Sequence, residues 1–132
     1  MSANIGIVCG SFHRDFVERM LATAEVSATE HDLAVAEVIW VPGAMETPLA
    51  IDRLLTRDDI DAVACLGIIE KGETQHGNAM GNAVIKTIVE LQLIHDKPVG
   101  LGIIGPGAEP QHIEPRLDSH SIAAISAIAS ML

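Results

Sequence analysis

Aromatic residues are scarce in this 132-residue chain, which has two Phe, one Trp and no Tyr. Because large aromatic side chains usually fill much of a core of this size, Ala, Ile, Val and Leu must fill it here. Hydrophobic residues nevertheless make up 48% of the sequence, which argues against disorder. We therefore expect a single folded domain over residues 1–132.

Basic residues are also few, with 8 Lys and Arg against 18 Asp and Glu and a net charge of −10. A protein that binds the phosphate backbone of nucleic acid needs a basic surface. The composition therefore argues against nucleic-acid binding, although one local positive pocket for a small anion stays possible.

Long apolar runs are missing, since no stretch reaches the 18 residues that a membrane span requires. The beginning of the chain shows no basic and apolar segments of the signal-peptide type, so we expect a cytoplasmic protein. Cys9 and Cys65 lie inside apolar runs without the CxxC spacing of a metal or redox site. We expect two buried, reduced thiols.

Short apolar runs alternate with segments of helical periodicity along the chain. The predicted strands are residues 5–9, 34–41, 62–69 and 99–104. The predicted helices are about residues 12–29, 46–56, 75–95 and 113–132. This alternation predicts an α/β fold with a four-stranded parallel sheet covered by helices on both faces. Ligands bind such sheets beyond the carboxyl ends of the strands, so the candidate loops are 10–14, 42–47, 70–78 and 105–111.

The loop after the third strand carries the strongest local signal. Glu73 and Thr74 are predicted to open a helix, whose first N–H groups and dipole favour a bound anion such as phosphate. Gly72 permits close backbone approach, and His76 can exchange protons near neutral pH. The alternative interpretation is a capping threonine followed by a surface histidine.

The loops after the first two strands are ambiguous. Glu46, Thr47 and Pro48 suit a helix start, which explains them with or without a bound hydroxyl or anion. Phe12 could stack on a flat ring, but its spacing to Phe16 and Met20 favours a place in the core.

Arg116 lies at the start of the last predicted helix, and Arg is the usual bidentate partner of phosphate. The alternative is a solvated ion pair with Glu114 or Asp118. The remaining histidines, His31, His95, His112 and His120, lack metal-ligand spacing, so no metal site is predicted. The sequence contains no HExxH, P-loop, GxGxxG or GxSxG motif.

Four segments taken in order resemble one family. GSFHRD at 10–15, VPGAMETPLA at 41–50 and LGIIEKGETQH at 66–76 are similar to signature segments of the 6,7-dimethyl-8-ribityllumazine synthases. LGIIGPGAEPQHIEPR at 101–116 is similar to the short, archaeal-type branch of that family. The resemblance implies a flavodoxin-like three-layer αβα sandwich, in agreement with the pattern above.

The resemblance also implies a transferase without metal or cofactor, acting in the penultimate step of riboflavin biosynthesis. In that reaction 5-amino-6-ribitylaminouracil condenses with 3,4-dihydroxy-2-butanone 4-phosphate, and phosphate leaves. The implied partners are therefore two small molecules, and further copies of the chain, since the family forms pentamers and in some members 60-subunit shells.

The resemblance assigns roles by position. His76 would shuttle protons. The implied substrate-binding residues are Phe12, Ala44, Met45, Glu46, Ile68, Ile69 and Leu101, with Phe12 over the pyrimidine and Leu101 at a lid position. The implied phosphate-binding residues are Gly72, Glu73, Thr74 and Arg116, the last from the neighbouring subunit.

Three positions depart from the family pattern: His13 replaces an Asn, Lys71 stands where Arg or an acid is frequent, and Gly77-Asn78 replaces a bulky or acidic pair. Three other readings stay open. They are a pentameric riboflavin synthase paralogue, a non-catalytic flavin- or lumazine-binding shell protein, and a flavodoxin-like receiver module. The GETQH segment argues against the first, His76 and Arg116 against the second, and the lack of clustered acids at strand ends against the third.

Overall fold

The computed structural model describes residues 2–132 and shows strands alternating with helices. The strands are β1 (Ala3–Gly10), β2 (Leu33–Val41), β3 (Ala62–Glu70) and β4 (Val99–Ala108). The α-helices are α1 (Arg14–Glu30), α2 (Thr47–Leu55), α3 (His76–His95), α4 (Pro110–Ile113) and α5 (Leu117–Met131). Short 3₁₀ helices at Ala44–Glu46 and Glu114–Arg116 precede α2 and α5.

The four strands form one parallel sheet in the order β2-β1-β3-β4. Side chains along β1 and β3 alternate between two buried clusters, as strands covered on both faces require. One cluster lies under α1 and α5, and the other lies under α2 and α3. The predicted three-layer, flavodoxin-like α/β fold is therefore confirmed.

The core is aliphatic, as the scarcity of aromatics predicts. Its largest fully buried side chains are Ile, Leu and Met, for example Ile7, Met20 and Leu66. Trp40 is half-buried against one of these clusters, and the Arg14 guanidinium packs 4.1 Å from its ring centre. Among the described residues no helix is long and apolar enough to span a membrane.

Several predicted boundaries were wrong. Residues 105–107, predicted as a loop, belong to β4, because the strand continues through Gly105 and Gly107 with positive φ angles of 104° and 87°. The predicted helix at 113–132 is divided into α4, a 3₁₀ turn and α5, with Pro115 near the start of that turn. On α2, Leu49 is exposed, whereas Leu54 and Leu55 are buried.

Candidate functional site

A cavity lies at the carboxyl ends of the strands, where the sheet order reverses. From the centre of the sheet the chain passes from β1 outward to β2 and from β3 outward to β4, so the loops that follow β1 and β3 diverge and leave a crevice. The cavity measures about 460 Å³, within the range of small-molecule sites. Its walls come from the loops after β1, β2 and β3 and from the start of α3.

Phe12 lies in the loop ahead of α1 and lines the cavity, with 52% of its surface exposed. The core position that helical spacing favoured for Phe12 is therefore wrong. Two hydrogen bonds hold this loop against the next: Ser11 N–H donates to Val41 O at 2.8 Å, and Ser11 Oγ donates to Pro42 O at 3.2 Å. An exposed phenyl ring on a fixed loop can stack on a planar ligand.

The loop after β2 forms the 3₁₀ turn Ala44–Glu46, which lines the cavity beside Phe12. The buried Thr47 fixes this turn, because its Oγ1 donates to Ala44 O at 2.7 Å. Met45 and Glu46 are exposed at the rim. The turn therefore offers a carboxylate and backbone groups to a ligand that carries hydroxyls.

The end of β3 supplies the floor of the cavity through the buried side chains of Ile68 and Ile69. Beyond Glu70 the chain leaves the sheet and becomes exposed through Gly72, Thr74 and His76, all of which line the cavity. The cavity thus combines an apolar floor, formed by Ile68 and Ile69, with a polar wall, formed by the segment that follows β3.

The helix α3 begins at His76, within one residue of the predicted start at about residue 75, so Glu73 and Thr74 precede the helix and do not open it. Thr74 acts as a local cap, since its Oγ1 accepts the N–H of His76 at 3.3 Å. Ala79 N–H donates to Gln75 O, so the N–H groups of Gly77 and Asn78 lie before this helical hydrogen bond. These groups can receive an anion.

Gly77, a departure from the family pattern, has a structural reason. A Cβ at this position would lie 3.3 Å from Glu70 O, closer than most side-chain contacts. The missing side chain therefore lets the start of α3 approach the end of β3.

Three residues with predicted roles lie outside the cavity of their own chain: Glu73, Leu101 and Arg116. Leu101 pairs with Cys65 near the middle of the sheet, away from the carboxyl ends of the strands. Arg116 lines a separate depression with His112 and His120, and its Nη1 donates to His112 O at 2.9 Å.

The alternative ion pair of Arg116 with its flanking acids is not what the structure shows. Both acids turn to Arg19, which lies 3.7 Å from Glu114 and 3.2 Å from Asp118. The Arg19 guanidinium and Thr23 hydroxyl hold the pKa of Asp118 below its usual value.

The lining residues to which the sequence assigned no role are Pro42, Gly43, Glu70, Lys71, Gly77 and Met80, of which all but Met80 lie in the predicted loops 42–47 and 70–78. Met80 could have been found, because it lies four residues after His76 and so on the same helix face. Lys71 Nζ lies 3.4 Å from Glu109 Oε1. Within residues 2–132 no group of three or more His, Cys, Asp or Glu is arranged to hold a metal ion.

Cys9 and Cys65 are buried and free, as predicted. Burial raises the pKa of each thiol to about 12, and the neighbouring Cys65 adds to the effect at Cys9. Reactive cysteines need a lowered pKa and solvent access, so neither thiol suits nucleophilic chemistry.

We expect neither thiol to react with a disulfide reagent in the native protein at pH 8. With a pKa of about 12, roughly one thiol in ten thousand would be ionised, and burial blocks the reagent as well. In guanidinium chloride both thiols should react fully. The measurement is the colour released by the reagent as it labels the thiols. Fast labelling of the native chain would show that this part of the sheet opens readily.

The sandwich and its crevice define the class of the protein: a parallel α/β domain with a cavity of small-molecule size at the switch point of its sheet. A family model described as 6,7-dimethyl-8-ribityllumazine synthase matches residues 2–132. The chain therefore belongs to the 6,7-dimethyl-8-ribityllumazine synthase family, an enzyme family, as the sequence segments predicted.

Curated relatives agree with this assignment. A 6,7-dimethyl-8-ribityllumazine synthase of Halobacterium salinarum is 39% identical over 125 residues, covering 95% of this chain and 94% of the relative. The protein of the same name from Metallosphaera sedula is 41% identical over 130 residues, covering 98% and 86%. That of Methanoculleus marisnigri is 39% identical over 132 residues, covering 97% and 95%.

Proposed function

We propose that this chain condenses 5-amino-6-ribitylaminouracil with 3,4-dihydroxy-2-butanone 4-phosphate to 6,7-dimethyl-8-ribityllumazine. The observation that carries the proposal is one cavity, in a chain of this family, that combines an exposed phenyl ring, an apolar floor, a helix start and a histidine. Each feature answers one part of the two substrates.

The pyrimidine would lie between Phe12 and the floor made by Ile68 and Ile69. An apolar slot of this kind buries both faces of a planar ring and leaves its polar edge to backbone groups. The ribityl chain would run over the 3₁₀ turn, where Ala44 and Met45 offer backbone groups and Glu46 offers a carboxylate to the hydroxyls.

The phosphate of the four-carbon substrate would lie at the start of α3. Backbone groups of Gly72, Glu73 and Thr74 would surround it, together with the N–H groups of Gly77 and Asn78 at the helix start. Because the net charge of the chain is −10, this local site must overcome a general repulsion of anions.

The chemistry consists of bond changes that proton transfers can support. The 5-amino group attacks the ketone and water leaves, which forms an imine. Elimination then breaks the C–O bond to phosphate, and the ribityl-bearing amine closes the ring with loss of a second water. His76 lines the cavity at the start of α3, where we propose that the phosphate binds, and an imidazole there can take and return protons. No redox step occurs, so the reaction as written needs no cofactor.

A turnover assay with the two substrates, read by the absorbance of the lumazine product, tests the proposal. We expect product formation well above the uncatalysed rate without added metal. Conversion of the lumazine alone to riboflavin would favour the riboflavin synthase alternative. Tight lumazine binding without turnover of either kind would favour the non-catalytic binder.

We further propose that the chain works as a homo-oligomer, a pentamer or a shell of pentamers, in the cytoplasm. Arg116 and Leu101 lie away from the cavity of their own chain, so a neighbouring copy would have to bring them to it. Outward-facing apolar side chains on α1, α3 and α5 support such contacts, for example Val26, Leu93 and Ile122. The two free thiols suit a reducing compartment.

Sedimentation equilibrium at micromolar concentration should give at least five times the 14.0 kDa mass of the chain. A stable monomer would contradict the proposed oligomer, and with it any site that a neighbouring subunit completes.

Replacing Arg116 by Ala should raise the KM for the phosphorylated substrate about tenfold to a hundredfold, because charge-assisted contacts to phosphate contribute about 1.5–3 kcal/mol. The KM for the pyrimidine should change little. Steady-state kinetics with each substrate varied in turn measures both values. Equal losses for both substrates would mean that Arg116 serves the fold through its bond to His112 O.

A further inference from the structure

His13 and Glu70 form a close side-chain hydrogen bond at the side of the cavity, where Glu70 lines the cavity and His13 lines a neighbouring depression. The distance from His13 Nε2 to Glu70 Oε2 is 2.7 Å, and about a third of each side chain is exposed. An ionised carboxylate can only accept, so the imidazole N–H donates. The two residues are 57 positions apart in the chain, but His13 follows β1 and Glu70 ends the adjacent strand β3.

His13 is fixed by its backbone as well as by Glu70. It takes the left-handed conformation, with φ 56° and ψ 50°, immediately before α1. Its carbonyl accepts the N–H groups of Phe16 at 3.0 Å and Val17 at 3.1 Å. The direction of the imidazole is therefore set by the backbone hydrogen bonds of His13 and by the contact of its ring with Glu70.

The ring of His13 packs against the ring of Phe12. The two ring centres lie 4.4 Å apart with an angle of 59° between the planes, a tilted aromatic contact. Phe12 is half exposed, and its side chain borders the cavity. Without the imidazole, the phenyl ring would lose its lateral contact and sample other rotamers.

Glu70 is tied to the opposite wall. It ends β3 and lines the cavity. The next residue, Lys71, donates its N–H to Ala108 O at 2.7 Å, and Gly77 packs against the Glu70 carbonyl. The pair thus connects the loop that carries Phe12 with the loop that carries the helix start and His76.

We propose that His13 and Glu70 act as one positioning pair that holds Phe12 over the pyrimidine subsite. This inference rests on the proposed function. The pair touches neither reacting atom; it fixes the ring against which the first substrate stacks, and so lowers the entropy lost when that substrate binds.

The test uses His13→Asn, Glu70→Gln and the double variant of the full-length protein. Asn tolerates the left-handed conformation, so the first change removes the imidazole without straining the backbone. Gln keeps the size of Glu70 and removes its charge. The ligand is a ribitylaminouracil with a nitro group in place of the reactive 5-amino group, and calorimetry measures its Kd.

The matched control is the second histidine–carboxylate pair, His95 with Asp52, whose Nε2–Oδ1 distance is also 2.7 Å. His95 ends the 20-residue helix α3, which His76 begins, and neither residue of the control pair lines the cavity. His95→Asn and Asp52→Asn should leave the Kd unchanged.

We expect each single change at the positioning pair to raise the Kd of the analogue, and the KM for the pyrimidine, about threefold to tenfold, as for a hydrogen bond whose partners are about a third exposed. The value of kcat should fall less than about threefold, and the KM for the phosphorylated substrate should stay constant. The double variant should bind the analogue no more weakly than the more affected of the two single variants, because both changes act on the same His13–Glu70 contact.

Unchanged Kd values, effects that multiply in the double variant, or equal losses in the control pair would overturn the positioning role. Failure of the proposed function is distinguishable from these results. A wild-type chain that binds the analogue but forms no product contradicts the reaction, while the Kd series still decides the role of the pair.

Discussion

Replacement of His76 by Ala should lower kcat by about tenfold to a thousandfold without abolishing turnover, the usual contribution of one general acid–base group or somewhat less. His76 is the first residue of α3 and is exposed on the wall of the cavity. An imidazole there can take a proton during imine formation and return it as phosphate leaves. Much of the remaining rate would come from holding the two substrates together.

The His76 experiment needs a variant that keeps a hydrogen bond and loses proton transfer, and His76→Gln provides it. Both variants should bind the unreactive pyrimidine analogue as the wild type does, because the imidazole acts at the phosphate end. Stopped-flow or steady-state absorbance gives kcat, and calorimetry gives the Kd. A Gln variant with full activity would show that His76 positions the substrate by hydrogen bonding, and unchanged turnover in both variants would leave it a surface histidine.

The fold could be predicted because each of its signals is local. Four apolar runs separated by helical periodicity can be covered on both sides only as a parallel sandwich, and the strands β1, β2 and β3 agree with the prediction within about two residues. The extension of β4 through Gly105–Ala108 could not be read in this way. Gly and Pro normally end a strand, and the pairing of Ala108 with Glu70 is a tertiary contact.

The sequence predicted which loops form the site, but it did not predict how their side chains are arranged. Parallel topology places the ends of β1, β2 and β3 at one edge, and the cavity lies there. The periodicity rule failed at Phe12, because the left-handed conformation of His13 ends the helical path between Phe12 and α1. The contact between His13 and Glu70 requires that β1 and β3 be neighbours in the sheet. Residue spacing in the sequence does not predict the order of the strands.

Close packing of α5 on β4 offers the sharpest test of the fold. A Cβ built on Gly100 would overlap the carbonyl group of Ala124 in α5, and one built on Gly102 would lie 2.7 Å from Leu66 Cδ2. Gly100 therefore lets the backbone of α5 lie directly against the edge strand, while Gly102 leaves room for the Leu66 side chain of β3. Any side chain at Gly100 must push α5 outward or bend β4, and helix backbones in a packed interior move little.

We expect Gly100→Ala to lower the free energy of unfolding by about 2–4 kcal/mol, since overpacking against backbone costs at least as much as overpacking against side chains. The matched control is Gly72→Ala, where a Cβ would meet no atom within 4 Å. That variant should unfold within about 0.5 kcal/mol of the wild type, whatever it does to phosphate binding. Denaturant unfolding at one fixed protein concentration measures both, because assembly would also add to stability. Equal stability of the two variants would mean that α5 is free to shift on the sheet, and the tight α5–β4 contact would not be a determinant of the fold.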